Sequence, residues 1–264
     1  MPSTVSRRTF LKRSSLAFTA PLILPRVSLG QSPNSNLQLA AIGVGGQGGS
    51  DLAAVFSSVK VDVVAICDVD ETALNGAAAT YKEARKYFDW RELFDKEAGN
   101  IDAVCVGTPD HMHAPMAYSA ISLGKHCYCE KPLTQEVYEA RQLRLAAERA
   151  GVATQMGNQI HAHACYRNAA QMMQDGVLGK VKEWHSWISN GYGGKDLARP
   201  AAEDPIPETL KWDLWIGVAP YRPFKTALYH PHRWRDWRDF GTGALGDFAC
   251  HIFDPVFMGL GIGA

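Results

Sequence analysis

The sequence predicts an α/β protein in which a doubly wound parallel sheet is followed by a smaller α+β domain. Short apolar segments alternate with helical segments between residues 37 and 157, which is the element order of a doubly wound sheet. The apolar segments are continuous rather than alternating in polarity, as in strands buried on both faces. Pro, Gly and Trp become frequent after residue 157, so we place the domain boundary there.

The first domain is predicted over residues 31–157. Its strands are expected at 37–44, 61–68, 101–108, 125–130 and 152–157, and its helices at 50–59, 71–81, 113–123 and 134–150. The last helix has the clearest pattern, because Ala140, Leu143 and Ala147 share one face and Gly151 follows as a stop. Strands and helices in this order predict a nucleotide-binding sheet.

The second domain, residues 158–264, has a different pattern. A helix is predicted over 165–175. The segment VKEWHSWIS, 181–189, alternates in polarity and predicts a strand with one covered face. We therefore expect an α+β domain with a mainly antiparallel or mixed sheet.

A glycine-rich turn joins the first strand to the first helix. Gly43, Gly45 and Gly48 form the pattern G-x-G-x-x-G, with Gly46 and Gln47 between the last two glycines. Glycine is needed because side chains would keep the backbone away from a pyrophosphate, which the N–H groups at the helix N-terminus would bind. The turn therefore predicts a dinucleotide-binding Rossmann domain.

The end of the second strand indicates which dinucleotide is bound. Asp68 lies twenty residues after Gly48, where a carboxylate accepts hydrogen bonds from the adenosine ribose. The same carboxylate would repel a 2′-phosphate. We therefore expect NAD as the cofactor, with NADP disfavoured.

Residues 1–30 have the three parts of an export signal. Arg7, Arg8 and Lys12 precede an apolar run at 14–24, and small residues follow it up to Gly30. A bilayer span needs roughly twenty apolar residues, so this shorter run predicts a removable signal without stable membrane insertion. The paired arginines resemble the twin-arginine signal, so we expect that export machinery as a partner and a periplasmic or secreted protein.

Composition excludes some partners. Lys plus Arg and Asp plus Glu number 27 each, so no net charge attracts nucleic acid. Four of the six cysteines lie in predicted strands, where we expect free buried thiols. The pairs HAH at 161–163 and HPH at 230–232 lack a third ligand at fixed spacing, so no metal is expected. Homo-oligomerisation is left open.

Three segments resemble the Gfo/Idh/MocA oxidoreductase family: VGTPDHMHAPMA at 106–117, CEKPLT at 129–134 and GTGALGDFACHIFD at 241–254. The resemblance implies a Rossmann domain, a substrate domain that is here only partial, and hydride transfer between a sugar or polyol and a nicotinamide cofactor. It implies Lys131, Asp247 and His251 as the catalytic residues. The residues that it implies on the nicotinamide side are Thr108, Pro109, His113, Glu130, Lys131 and Pro132.

The residue types agree with that chemistry. Asp247 and His251 are four positions apart and would share one face of a helix. A histidine can accept the proton of a substrate hydroxyl, and Lys131 can stabilise the developing alkoxide. Trp234 and Trp237 are candidates for stacking on the substrate. His161 is a candidate substrate contact.

Three functions remain open from the sequence. The first is an exported oxidoreductase that acts on a carbohydrate or polyol with tightly bound NAD. A protein that is exported in the folded state would carry this NAD with it. The second is a glycoside-cleaving enzyme that uses NAD in a transient oxidation, as some members of the family do. The third is a non-catalytic nucleotide-binding fragment or relic, because members of the family generally continue further.

Overall fold

A computed structural model describes residues 36–58, 60–189, 191–192, 198, 200 and 202–263. The predicted export signal, residues 1–30, lies outside the described residues. Within the described ranges, every helix is too short or too polar to cross a membrane.

The described part of the first domain contains a six-stranded sheet in the order β3-β2-β1-β4-β5-β6. Every strand pairs in parallel with its neighbours. The strands are β1 Leu37–Ile42, β2 Val61–Cys67, β3 Arg85–Tyr87, β4 Ala103–Val106, β5 His126–Glu130 and β6 Thr154–Gly157. The predicted doubly wound sheet is confirmed, and all five predicted strands are present. The strand β3 was missed, because it has three residues and two of them are exposed and charged.

Helices cover both faces of this sheet. They are α1 Gly46–Ser58, α2 Glu71–Thr80, α3 Trp90–Glu97, α4 Asp110–Ser122 and α5 Val137–Ala150. All four predicted helices are confirmed, and α3 is an addition. Helices α1 and α4 begin three or four residues earlier than predicted, so their N-termini reach the ends of β1 and β4.

The core of the first domain lies on the two sides of the sheet. The cysteines predicted to be buried in strands are buried there as free thiols: Cys67, Cys105, Cys127 and Cys129. Burial raises the pKa of each of these four thiols, which keeps them protonated and unreactive.

The region after residue 157 consists of short helices and loops in the described ranges. The helices are α6 Ala164–Gln174, α7 Trp212–Ile216, α8 Gly243–Ile252 and α9 Asp254–Leu260. The predicted helix at 165–175 is confirmed as α6. The predicted strand at 181–189 is wrong, because this segment makes no ladder with any described residue. Trp187 within it is 80% exposed, whereas Trp184 packs against Phe253 and Phe257.

Buried aromatic side chains form an aromatic core in this second region, and backbone hydrogen bonds join the region to the sheet. The buried aromatic members of the core are Trp212, Trp215, Phe224, Tyr229, Trp234, Trp237 and Phe240. The N–H of Lys211 donates to the carbonyl of Val69 at 2.9 Å, and the N–H of Glu71 donates to the carbonyl of Thr209 at 2.8 Å. The aromatic core therefore lies at the carboxyl end of β2.

Candidate active site

The turn between β1 and α1 is packed so closely that glycine is required. Gly43 has a φ of 78°, a conformation that side-chain-bearing residues rarely adopt. A Cβ added to Gly48 would lie 2.1 Å from the carbonyl oxygen of Gly43, and one added to Gly107 would lie 2.4 Å from the Cα of Gly48. The turn therefore lies directly on the end of β4, and Gly45 and Gly46 line the neighbouring cavity.

The carboxylate of Asp68 fastens this turn to the end of β2. Its Oδ2 accepts hydrogen bonds from the backbone N–H groups of Val44 at 2.9 Å and Gly45 at 3.2 Å. Its Oδ1 accepts from the N–H of Asp70 at 2.9 Å. Burial raises the pKa of Asp68, and these three donors oppose the rise. Asp68 also lines the cavity, so it combines access to a ligand with support of the glycine turn.

A cavity of about 780 Å³ runs from the glycine turn to the second region. It lies at the carboxyl ends of the parallel strands, where ligands bind in such sheets. The sequence-predicted residues that line it are Gly43, Gly45, Gly46, Gln47, Asp68, Thr108, Pro109, Glu130, Lys131, Trp234 and His251. The structure thus brings the dinucleotide motif and two of the three implied catalytic residues to one cavity.

The ammonium group of Lys131 joins the end of β5 to helix α8. Its Nζ donates to the Asp247 carboxylate at 2.9 Å and to the Asp247 carbonyl at 3.0 Å. Arg235 lies 3.4 Å from the same carboxylate oxygen. Because an ammonium has three N–H donors, two bonds to Asp247 leave one for a ligand. Asp247, held between two cations, orients Lys131.

His251 is held in one tautomer by Asn158. The side-chain amide of Asn158 donates to the carbonyl of Cys250 at 2.7 Å, which turns its oxygen towards His251. That oxygen lies 2.7 Å from Nδ1 of His251, so Nδ1 carries the proton and Nε2 is left as an acceptor. Burial and, secondarily, the charge of Lys131 lower the pKa of His251. The ring is therefore neutral at neutral pH and can act as a base.

His113 lies behind the cavity and links the two loops on its nicotinamide side. The ring is buried, with Nδ1 2.8 Å from the carbonyl of Pro132 and Nε2 2.7 Å from the carbonyl of Thr108. The Lys131–Pro132 peptide is cis. His113 therefore shapes the site through the backbone around Thr108 and Lys131.

The two candidate stacking tryptophans have different environments. Trp234 lines the cavity, and the guanidinium of Arg235 lies 4.1 Å from its ring centroid. Trp237 is buried in the aromatic core, where its indole N–H donates to the carbonyl of Leu228. Both tryptophans belong to the aromatic core, and of the two Trp234 is the one that lines the cavity, so the stacking role stays a prediction.

Two of the four histidines considered as metal ligands, His161 and His230, lie beside carboxylates. His161, whose side chain is largely exposed, lies 2.8 Å from Asp254 and is outside the cavity lining, so its substrate contact stays a prediction. His230 lies 3.6 Å from Asp70. Within the described ranges, no three His, Cys, Asp or Glu side chains are grouped to hold a metal.

Sequence reasoning missed Asn158 and Arg235 as parts of the site. No motif marks Asn158. Its position directly after the strand predicted at 152–157 was the usable signal, because sites lie at the carboxyl ends of parallel strands. Arg235 stands in the charged segment HRWRDWRD, 232–239. Nothing in this segment distinguishes Arg235, which contacts Asp247, from its charged neighbours.

Both domains match models of one protein family. Residues 37–158 match the Gfo/Idh/MocA model described as an oxidoreductase family with an NAD-binding Rossmann fold. Residues 175–262 match the family's C-terminal alpha/beta domain. The chain belongs to the Gfo/Idh/MocA oxidoreductase family. The resemblance of the three motifs, the fold class and the choice of NAD are thereby confirmed.

Known proteins of the Gfo/Idh/MocA family resemble this chain over only part of their length. Levoglucosan dehydrogenase of Pseudarthrobacter phenanthrenivorans is 25% identical over 166 residues, covering 63% of this chain and 34% of that protein. A glycosyl hydrolase family 109 protein of Shewanella putrefaciens is 28% identical over 206 residues, covering 67% and 44%. The chain thus spans less than half the length of these relatives.

A solved structure resembles most of this Gfo/Idh/MocA chain. The oxidoreductase domain protein of Kribbella flavida matches with a TM-score of 0.60 and 25% identity. The match covers 86% of this chain and 54% of that one. The likeness therefore includes much of the second region as well as the sheet.

The residues around the cavity fit the NAD of the Gfo/Idh/MocA family. A Cβ built on Gly46 would meet nothing within 4 Å, so the glycine turn presents bare backbone to an open space. A volume of about 780 Å³ is of the size that cofactor sites have. The N-terminus of α1 starts at this turn and offers N–H groups to a pyrophosphate.

Proposed function

We propose that the chain belongs to an exported enzyme that oxidises a carbohydrate or polyol hydroxyl with tightly held NAD. The observation that carries this proposal is the convergence of Lys131 and His251 on the cavity that the glycine turn also lines. Bound NAD would supply the hydride acceptor. The residues that would hold it are Gly45, Gly46, Gln47 and Asp68 at the adenosine end and Thr108, Pro109 and Lys131 at the nicotinamide end.

The two catalytic side chains would divide the proton chemistry of alcohol oxidation. Nε2 of His251 would accept the hydroxyl proton, since Nδ1 is already committed to Asn158. The remaining N–H of Lys131 would bind the same oxygen and stabilise the negative charge that develops on it. Asp247 would keep the ammonium in place throughout.

Native mass spectrometry of the freshly purified full chain tests the resident cofactor. We expect one NAD or NADH per chain, released on denaturation and identified by its mass. Sugars and polyols are then added, and reduction of bound NAD is followed by its absorbance. A chain that carries no dinucleotide and gains none when incubated with NAD would contradict the proposal.

Redox-assisted cleavage of a glycoside is the second candidate, favoured by the likeness to a glycosyl hydrolase family 109 protein. The same Lys131 and His251 would assist the oxidation of a ring hydroxyl by NAD, and the NADH formed would be reoxidised on the enzyme. Such an enzyme releases free sugar from aryl glycosides without net formation of NADH. An oxidoreductase instead accumulates NADH in proportion to product.

Export rests on residues 1–30 alone. The paired Arg7 and Arg8 with the following apolar run support the twin-arginine route and a periplasmic location. Replacing both arginines by lysine should retain the protein in the cytoplasm, as measured by cell fractionation. Unchanged secretion of that variant would exclude the twin-arginine route.

A further inference from the structure

Two buried carboxyl groups lie side by side beneath the glycine turn. Asp51 on α1 is 8% exposed and Glu130 at the end of β5 is 4% exposed. The two carboxyl groups lie within interaction distance of each other, since each affects the pKa of the other. The helix that follows the glycine turn and the strand that precedes Lys131 therefore meet through two acids.

The outer oxygens of the two carboxyl groups have donors. The side-chain amide of Gln47 donates to Oδ1 of Asp51 at 2.8 Å. The backbone N–H of Lys131 donates to Oε2 of Glu130 at 3.1 Å. The inner oxygens, Oδ2 of Asp51 and Oε1 of Glu130, are buried and have no hydrogen-bond partner of normal geometry within the described residues. The hydroxyl of Tyr128 interacts with the Glu130 carboxyl as well.

Two facing carboxylate oxygens cannot form a hydrogen bond, because both are acceptors. Two buried negative charges in contact would also repel each other in a site with little solvent screening. Gly157 on β6 leaves space for the Glu130 carboxyl group, since a Cβ there would lie 2.4 Å from its Oε1. A proton on one of the inner oxygens satisfies both of them at once.

We propose that Asp51 and Glu130 share one proton, and that this O–H···O bond positions the Lys131–Pro132 turn against helix α1. The pair then carries a single negative charge. Both residues are positioning residues, because they act on the site through Gln47 and the backbone of Lys131. The consequence for turnover rests on the proposed function, whereas the shared proton itself does not.

The surroundings of the pair favour retention of the proton. Burial first, and Asp51 second, raise the pKa of Glu130 to about 8, and burial also raises the pKa of Asp51. The titratable groups that face the pair are Lys131 on the turn, Tyr128 and Cys129 on β5, Cys105 on β4 and Cys250 on α8. The pKa values of the thiols and the phenol are raised, so those groups are neutral. Lys131 is the cation that opposes the rise.

The shared proton predicts a specific dependence of stability on pH. A carboxyl group whose pKa is raised on folding stabilises the protein below its unfolded pKa and loses that contribution as pH rises through the folded pKa. For Glu130 this window runs from about 4.5 to about 8. The pair therefore makes the protein less stable as pH increases across neutrality.

The test uses Asp51→Asn in the purified full chain without added cofactor or substrate. The new amide can donate to Glu130 while its oxygen still accepts from Gln47, so the link no longer needs a proton. We expect the Tm of the natural chain to fall between pH 6 and 8 by roughly 5–10 °C more than that of D51N. The control is D95N on the exposed side of α3, which removes the same charge and should follow the natural chain.

Infrared spectroscopy supplies a second readout, in which the natural chain alone can contradict the proposal. The natural chain and D95N should show the carbonyl band of one buried protonated carboxyl group at pH 7, and the band should be absent from D51N and from E130Q. Parallel pH dependence of the natural chain and D51N, or the absence of the band in the natural chain, would overturn the proposal. Neither readout involves NAD, so failure of the proposed function leaves this test intact.

Discussion

At the scale of single residues, the candidate chemistry depends on which nitrogen of His251 carries a proton. Asn158 decides this, since its amide is itself oriented by the carbonyl of Cys250. The lowered pKa of His251 then leaves Nε2 available as an acceptor at neutral pH.

Replacement of His251 by Asn should slow hydride transfer without releasing the cofactor. Asn keeps the polarity and the approximate size but cannot accept a proton, and general base catalysis contributes about 10²–10⁴-fold in rate. Single-turnover reduction of bound NAD by an accepted substrate measures the step. Bound NAD, counted by native mass spectrometry, should stay at the natural level. An unchanged rate would remove His251 from the chemistry.

Replacement of Asn158 by Asp should move the pH profile instead of abolishing turnover. The single-turnover rate rises as His251 loses its proton, and in the natural chain this occurs below the usual histidine pKa of about 6.5. A carboxylate beside Nδ1 favours the protonated ring, so the rise should shift to higher pH. The profile between pH 4 and 9 is the measurement, with Asn158→Ala as the variant that only loses the orienting bond. An identical profile in N158D would contradict the assigned contact.

At the scale of elements, the contact between the β1–α1 turn and the end of β4 positions the dinucleotide motif. Gly43, Gly48 and Gly107 meet backbone to backbone, which lets α1 begin at the edge of the cavity. Asp68 adds a second attachment, from the end of β2. The position of the turn thus depends on contacts with the ends of β2 and β4 as well as on its own sequence.

Gly48→Ala should destabilise the fold, because its Cβ would lie 2.1 Å from the carbonyl oxygen of Gly43. Overpacking of this kind costs about 1–3 kcal/mol. The matched control is Gly76→Ala in α2, where a Cβ meets nothing within 4 Å. Alanine should there stabilise the helix by about 0.5–1 kcal/mol. Denaturant unfolding measures both changes, and equal effects at the two sites would refute the packing argument.

At the scale of the whole molecule, the start of α4 fastens the second region to the sheet. The N–H and hydroxyl of Thr242 donate to the buried carboxylate of Asp110 at 3.1 and 2.8 Å. The ring nitrogens of His111 lie 3.1 Å from the carbonyl of Trp215 and 3.3 Å from that of Phe240. These contacts hold Asp110 and Trp215, which both line the cavity, to the second region and to α4 respectively.

The buried His111 should make the molecule less stable in mild acid. Burial lowers the pKa of His111 to about 4, so the unfolded chain binds a proton between about pH 6.5 and 4 that the folded chain does not. The free energy of unfolding should therefore fall by about 1.4 kcal/mol per pH unit as pH decreases through this window.

The pH slope of His111→Gln tests this contribution. The variant lacks the titrating ring, so its stability should vary less between pH 6.5 and 4, whatever its stability at pH 7. His185→Gln, which changes a largely exposed histidine, is the control and should keep the natural slope. The prediction fails if H111Q and the natural chain lose stability in parallel.

The sequence by itself determined the parallel sheet, the glycine turn and part of the cavity lining, including Lys131 and His251. Strands buried on both faces appear in the sequence as continuous apolar segments. The spacing from Gly48 to Asp68 is the length of one helix and the strand that follows it. The short β3 was missed because its stability comes from pairing with β2, not from its own residues. The strand predicted at 181–189 failed for the related reason that alternation needs a neighbouring strand to become a sheet.

Only the tertiary structure decided how the site works. It oriented His251 through Asn158, placed Trp237 in the core and Trp234 at the cavity, and brought Asp51 against Glu130. Each of these depends on contacts between residues far apart in the chain, whose distances local spacing does not encode. Hydrogen-bond direction and proton sharing are properties of such contacts, because they depend on which atom faces which after folding.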